Sequence, residues 1–157
     1  MSKLESGEVV LFHEPMDLEE LSRDILVIVE QRAAESGIIL EYDKDSERVV
    51  YNSVYGSPLH VRQIFLNIYS NCIKYNKIGG KVETACTCLG VKDGTVNYRW
   101  TIRDTGIGMN QEFLKHIFDP FDQECTDVRS VYNGTGLGMS IVKNLIDKMN
   151  GTIEITR

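Results

Sequence analysis

The sequence predicts an α+β domain, a two-layer α/β sandwich with helices packed on one face of a mixed β-sheet. Three observations carry this. Three stretches repeat apolar residues at helical spacing, beginning near Asp17, Pro58 and Gly138. Two runs rich in β-branched and aromatic residues, 82–89 and 95–103, flank Lys92-Asp93-Gly94, a hairpin signal. Strand and helix patterns do not alternate regularly, which argues against a doubly wound parallel sheet.

In chain order, residues 1–16 read as a linker. Asp17 then caps a helix whose core face carries Leu18, Leu21, Ile25, Ile28 and Val29, with Glu20 placed as in a capping box. Gly37 ends that helix. Residues 38–42 read as a strand, 49–51 as a second short strand and 52–57 as turn. Pro58 suits the first turn of the next helix, which Ser57 caps and which runs to about Tyr75. Its apolar positions are Leu59, Ile64, Phe65, Ile68, Cys72 and Ile73, and Gly79-Gly80 breaks the chain before the hairpin. Asn110 caps a short helix to about Ile117. Residues 119–135 show no period and contain turn formers, and a loop of that length in a compact domain is usually functional or mobile. From 138 to 149 the stripe Ile141, Val142, Leu145, Ile146 and Met149 marks another helix, and 151–156 starts a further strand.

The 157 residues suffice for one domain with a substantial core, and 42% hydrophobic with 25% charged residues is an ordinary globular balance. A net charge of −6 argues against a nucleic-acid surface. It leaves room for an anionic nucleotide held by local backbone amides and a metal ion. No apolar run approaches the ~20 residues of a membrane span. The start, Met1-Ser2-Lys3-Leu4-Glu5-Ser6, lacks the apolar core of a signal peptide. A cytoplasmic domain without membrane contact of its own is expected. The spacing of Cys72, Cys86, Cys88 and Cys125 does not suit zinc, so all four read as reduced thiols.

Four motifs stand in order. Asn67 and Asn71 are four apart on a helix and share a face, with Lys74 on or near it. An amide oxygen is a competent hard ligand for Mg²⁺, and Lys74 adds a positive charge for phosphate. The same pattern also suits a solvated helix face. Asp104-Thr105-Gly106-Ile107-Gly108-Met109 follows a strand directly. A carboxylate there can accept from an exocyclic amino group, the glycines admit close approach to a flat ring, and Ile107 and Met109 can line a base pocket. A tight strand-to-helix turn is the plainer alternative. Ile117-Phe118-Asp119-Pro120-Phe121 sets two aromatics around a proline, as a loop anchor also would. Gly134-Thr135-Gly136-Leu137-Gly138 precedes a helix and exposes N–H groups to anions, although a flexible hinge has the same composition. Arg129 lies within reach of a phosphate or is simply exposed.

Together these motifs resemble the ATP-binding catalytic domain of sensor histidine kinases, in the broader GHKL ATPase superfamily, over about residues 16–155. The stretch 63–75 looks like the family's N box, the Asp104 loop its G1 box, 118–121 its F box and 134–138 its G2 box. The segment Gly136-Leu137-Gly138-Met139-Ser140-Ile141-Val142 looks closest to hybrid-type kinases. The resemblance implies ATP and Mg²⁺ as ligands, with Asn71 on the metal and Asn67 supporting it. Lys74 and Tyr75 would contact the nucleotide and Asp104 would read adenine. Gly106, Ile107, Gly108, Met109, Phe118, Phe121, Gly134, Thr135, Gly136, Leu137 and Gly138 would form its walls, and 119–135 its lid. Asn67, Lys74 and Arg129 are the expected catalytic set.

The sequence departs from the family pattern at Cys72, where Ala is common, Asn76 (Ser or Thr), Asn133 (Gly) and Met139 (Leu). Hydrolysing branches of the superfamily carry a Glu at the position of Asn67. An amide is no general base at neutral pH, so Asn67 favours phosphate donation over hydrolysis. His13-Glu14-Pro15 lacks the phosphoacceptor pattern and reads as linker, and His60 and His116 read as surface residues. The implied partners are a His-bearing dimerisation domain and a downstream response regulator or receiver domain, with the domain alone a monomer. Residues 1–16 would lead from the dimerisation domain and 17–157 would be the catalytic domain, its last strand pair truncated. A non-catalytic ATP-binding module and a serine-directed kinase of the same superfamily are the alternatives.

Overall fold

The computed structural model describes residues 8–43, 49–120 and 138–157. Helix α1 (Leu18–Glu35) begins where the sequence predicts it, with the Asp17 carboxylate accepting from the Glu20 N–H at 2.8 Å. Asn52 completes this end. Its side-chain amide donates to Asp17 at 2.9 Å, and its carbonyl and amide oxygens accept the Leu18 and Glu19 N–H groups. Helix-terminal donors otherwise left without partners are thereby satisfied. These bonds, the Glu20 N–H foremost, hold the Asp17 carboxyl below its ordinary pKa. Gly37, at φ +68°, ends the helix in the left-handed region.

The main sheet has the order β2 (Ile39–Tyr42), β4 (Lys81–Lys92), β5 (Thr95–Asp104). β2 runs parallel to β4, and β4 pairs antiparallel with β5, so the sheet is mixed as predicted. Asp93 and Gly94 both take positive φ, 52° and 73°, the primed geometry that matches strand twist in a tight hairpin. Period two puts Leu40, Val82, Thr84, Trp100 and Ile102 on one side of the sheet. The other side carries Glu41, Lys81, Glu83 and Arg103, with Lys81 bonded to Glu41 at 2.6 Å.

The apolar side packs under α1 and α2 (Pro58–Lys74). Leu21, Ile25, Val29 and Ala33 of α1 meet Tyr69 and Ile73 of α2 over Ile38 and Val82. A second cluster joins Ile64 of α2 to Val142 and Leu145 of α4 (Gly138–Lys148), with Val9, Leu11 and Ile153 packed against it. Helix α2 therefore belongs to both cores. The short α3 (Gln111–Leu114) is capped by Asn110, which accepts the Phe113 N–H at 2.7 Å, and it stops three residues before the predicted end.

Several expectations are corrected. Residues 14–16, read as the end of a linker, belong to β1 (Glu14–Asp17), which pairs antiparallel with β3 (Ser53–Gly56) in the segment predicted as turn. The strand predicted at 49–51 does not form, and the Tyr51 N–H and carbonyl instead bond the Tyr98 hydroxyl at 2.8 and 3.1 Å. A short strand needs a partner to persist, and the partner available to this region, Glu14–Asp17, pairs with 53–56 instead. Ser57 occupies the cap position, but its hydroxyl accepts the Phe12 N–H (3.1 Å) and pairs with His60 Nδ1 (2.6 Å). His60 is consequently buried and not a surface residue, while Leu59, predicted to face the core, is 60% exposed. His13 stacks on Tyr55 with ring centroids 5.1 Å apart. Residues 151–157 form no strand.

Candidate functional site

Helix α2 places Asn67 and Asn71 one turn apart, both half-buried. The Asn67 amide donates to the Gly138 carbonyl at 3.4 Å, which ties α2 to the first residue of α4. The Asn71 side chain makes no hydrogen bond among the described residues. Polar groups away from solvent normally find partners, so its amide oxygen is a suitable ligand atom. Lys74 Nζ sits 5.2 Å from the Tyr75 ring centroid, and Lys74 lines a cleft of about 510 Å³ together with Arg32, Ser70 and Lys77.

At the C-terminal end of α2 the chain meets the loop that follows β5. The Asp104 carboxylate accepts the Gly106 N–H at 2.8 Å, and the Tyr75 carbonyl accepts the Ile107 N–H at 3.0 Å. The approach is close enough that only glycine fits at 106: a Cβ there would lie 2.5 Å from the Tyr75 oxygen and 2.6 Å from Asp104 Oδ1. Gly108 takes φ +70°. Asp104 remains exposed, Ile107 is 44% exposed and Met109 is half-buried, so a carboxylate and an apolar surface share one open face. The Lys143 ammonium lies 5.9 Å from the Phe118 ring centroid, which links the segment after α3 to α4.

The structure thus brings together Asn67 with Gly138, and Tyr75 with Gly106 and Ile107. Phe121, Arg129, Gly134, Thr135, Gly136 and Leu137, with most of the predicted 119–135 lid, lie outside the described residues. Among the described residues no cluster of three His, Cys, Asp or Glu side chains could hold a metal. A cation here would rely on amide, phosphate and water oxygens, a set that suits Mg²⁺. Among the described residues Cys72, Cys86 and Cys88 form no disulfide, and Cys125 lies outside them. No helix of the described residues is long and apolar enough to cross a membrane.

Sequence reasoning missed three residues that hold this loop. Burial, and secondarily the neighbouring Asp104 carboxylate, pushes the Cys72 thiol pKa up. Asn76 is buried and bonds the Thr105 hydroxyl at 3.4 Å and the Lys81 carbonyl at 3.0 Å. Thr105 accepts the Lys81 N–H at 2.8 Å. Cys72 lies on α2 and Asn76 just past its cap, Tyr75, and the loop they meet is set by tertiary structure.

Comparison with known proteins agrees with this geometry. Residues 56–157 match the family described as histidine kinase-, DNA gyrase B-, and HSP90-like ATPase. The chain is 35% identical over 160 residues to the sensor histidine kinase GacS of Pseudomonas protegens, covering 98% of this chain and 16% of that protein. It is 31% identical over 162 residues to the hybrid signal transduction histidine kinase A of Dictyostelium discoideum, covering 99% and 7%. The chain spans under a quarter of the length of the curated relatives it matches, 21% in the case of RpfC from Xanthomonas campestris. Among solved structures, full-length ShkA in complex with AMPPNP superposes with a TM-score of 0.70 at 28% identity, covering 95% of this chain and 29% of that one. The mycobacterial sensor histidine kinase MprB shares the fold, with a TM-score of 0.66 at 24% identity over 88% and 81% of the two chains. By its family match, its relatives and its fold, the chain belongs to the histidine kinase-, DNA gyrase B- and HSP90-like ATPase family, as an ATP-binding catalytic domain of the histidine-kinase type.

Proposed function

We propose that this domain binds Mg·ATP and donates the γ-phosphate to a histidine on a separate dimerisation domain, in a two-component pathway that ends on a response regulator or receiver domain. The observation that carries the reading is that one helix, α2, supports both halves of a nucleotide site. Its C-terminal end holds the Asp104 loop, and its half-buried Asn67, Asn71 and Lys74 supply the other half.

Asp104 keeps acceptor capacity beyond its bond to the Gly106 N–H, which suits the amino group of adenine. Ile107 and Met109 offer apolar surface to the ring. Asn71 would hold Mg²⁺ with the phosphates, and the ion supplies charge neutralisation when bound. Lys74 adds a compact positive charge to the same anionic group. Asn67 cannot deprotonate water, so hydrolysis is not promoted. The nucleophile is then an imidazole nitrogen from the partner domain: the N–P bond forms, the bond from the γ-phosphorus to the bridging oxygen breaks, and ADP leaves. Catalysis of this kind rests on positioning and charge stabilisation. Arg129, Gly134, Thr135, Gly136 and Leu137 would complete the phosphate side as part of the lid, and the residues before β1 would lead from the dimerisation domain.

The test supplies the dimerisation domain of the parent protein in trans with γ-labelled ATP. Acid-labile label on its histidine is the expected result, lost with Asp104→Ala. Tight Mg·ATP binding with no transfer would leave an ATP-binding regulatory module and sink the kinase reading.

A further inference from the structure

Helices α1 and α2 do not close completely on the sheet. Between them lies a cavity of about 150 Å³, lined by Leu21 and Ile25 of α1, Val61 and Phe65 of α2, and Thr84 and Cys86 of β4. Trp100 of β5, 36% exposed, stands at its rim. Phe65 and Trp100 meet edge to face with ring centroids 5.2 Å apart, so part of the wall is aromatic. The cavity is separate from the candidate nucleotide site. The hairpin register pairs Val82 with Asp104 and Cys86 with Trp100, which places Trp100 about 13 Å along the strand from Asp104. Val61, Phe65 and Tyr69 recur every four residues on one face of α2, and Asn67 and Asn71 lie on another.

One buried polar pair interrupts this lining. Tyr69 and Thr84 both line the cavity, their hydroxyls stand 2.7 Å apart, and Tyr69 is only 3% exposed. Two hydroxyls carry two hydrogens, and the bond between them uses one. Nothing among the described residues accepts the other. A buried donor without an acceptor is destabilising, and native proteins keep few of them. Apolar cavities of about this size stay dry and take up a ring as large as benzene. We infer that the cavity is a binding site for a small monocyclic aromatic compound carrying one oxygen, of the size of phenol. The ring lies against Leu21, Ile25, Phe65 and Trp100, and the oxygen accepts the hydrogen that the Tyr69–Thr84 pair has left over. Occupancy of this site needs no nucleotide.

Trp100 is the only tryptophan of the chain and reports on its own cavity. Phenol and toluene are titrated into the chain while Trp100 emission, excited at the red edge of the indole band, and the thermal midpoint are followed. Both should give a saturable change in emission and a saturable rise in midpoint, because a ligand that binds only the folded state stabilises it. Phenol should bind about fivefold more tightly, as one added hydrogen bond provides. Tyr69→Phe/Thr84→Val removes both hydroxyls with little change of shape and should lower phenol to the affinity of toluene, leaving toluene unchanged. Either single variant keeps one hydroxyl hydrogen for the ligand, so the preference for phenol persists. Val61→Phe fills the cavity and should abolish both responses, with circular dichroism showing the fold retained. A wild-type chain with no saturable response to either compound would overturn the inference, as would equal affinities for the two or phenol binding that survives Val61→Phe in a folded chain. Should Val61→Phe fail to fold, the hydroxyl double variant carries the test: a phenol preference that survives it places the oxygen elsewhere and overturns the assignment.

Discussion

Both flanks of α2 bury apolar residues, but the flank toward the sheet adds a set of hydrogen bonds. There the Tyr75 carbonyl accepts the Ile107 N–H and the Asn76 amide oxygen accepts the Thr105 hydroxyl, which fixes the loop that starts at Asp104. Toward α4, the contact is burial of Ile64 against Val142 and Leu145, with one long bond from Asn67 to Gly138. Hydrogen bonds are directional and set orientation, whereas burial of apolar area is not directional. The Asp104 side is thereby preorganised, and the α4 side is stabilised without being held in one geometry. That division suits the proposed Mg·ATP site, in which the base keeps one shape and the γ-phosphate is the group to be transferred.

The largest expected effect breaks the α4 flank. Leu145 is almost completely buried, and Leu145→Ala should cost about 3–4 kcal/mol in stability, within the usual range for a large-to-small core change. A urea unfolding curve checks it, and a loss under ~1 kcal/mol would show that burial does not hold this flank. Next in size, Asp104→Ala should weaken ATP binding by about 10- to 100-fold, since a hydrogen bond to a charged acceptor is worth about 1.5–3 kcal/mol. Calorimetry with the folded variant measures it, and an unchanged Kd would remove Asp104 from base recognition.

Gly106→Ala tests the sheet flank by geometry alone. The new Cβ would press on the Tyr75 carbonyl and Asp104, so the loop must shift, and ATP affinity should fall about fivefold for roughly one lost hydrogen bond. Asn67→Ala sharpens the contrast: removing a single 3.4 Å bond should change stability by only about 0.5 kcal/mol. A larger drop in thermal unfolding would mean the α4 flank depends on that bond after all.

The smallest effect at neutral pH concerns Cys72. Burial, and secondarily the Asp104 carboxylate, pushes its thiol up to about 12. The folded state therefore favours the protonated thiol. Its stabilising contribution is complete below the unfolded thiol pKa of about 8.5 and is lost as pH rises toward 12. At pH 8, iodoacetamide should alkylate Cys72 far more slowly in the folded chain than in the urea-unfolded chain. Equal rates would show that the thiol is not buried in the folded chain.

Local chemistry accounts for what was legible. The Asp17 cap, the Gly37 stop, the Pro58 start and the Asp93-Gly94 turn depend on residues within a few positions of one another, and all four formed as predicted. The readings that failed needed distant partners. Residues 53–56 pair with 14–17 across the whole of α1, and no property of either segment announces the other. Ser57 reads as a helix cap, yet its hydroxyl goes to Phe12 and His60, which buries a histidine that looks like a surface residue. For the candidate site, Asp104 and the asparagines of α2 were legible as candidates because the ligand chemistry belongs to the side chains themselves. The supports of the loop were not, because nothing marks Cys72 on α2, or Asn76 just past its end, until a loop is folded against them.

The sequence by itself determined the inventory: three long helices with their core stripes, one tight hairpin, and a carboxylate, two amides and a lysine of the types a Mg·ATP site uses. Those features follow from periodicity, capping and donor chemistry, which act over one or two turns of chain. Only the tertiary structure decided that α2 serves two cores at once, that β1 and β3 form a separate ribbon, and that the end of α2 clamps the Asp104 loop. The physical reason is range. Burial and hydrogen-bond satisfaction are settled between segments 15 to 71 residues apart in the chain, and which donor meets which acceptor is decided when the whole core closes.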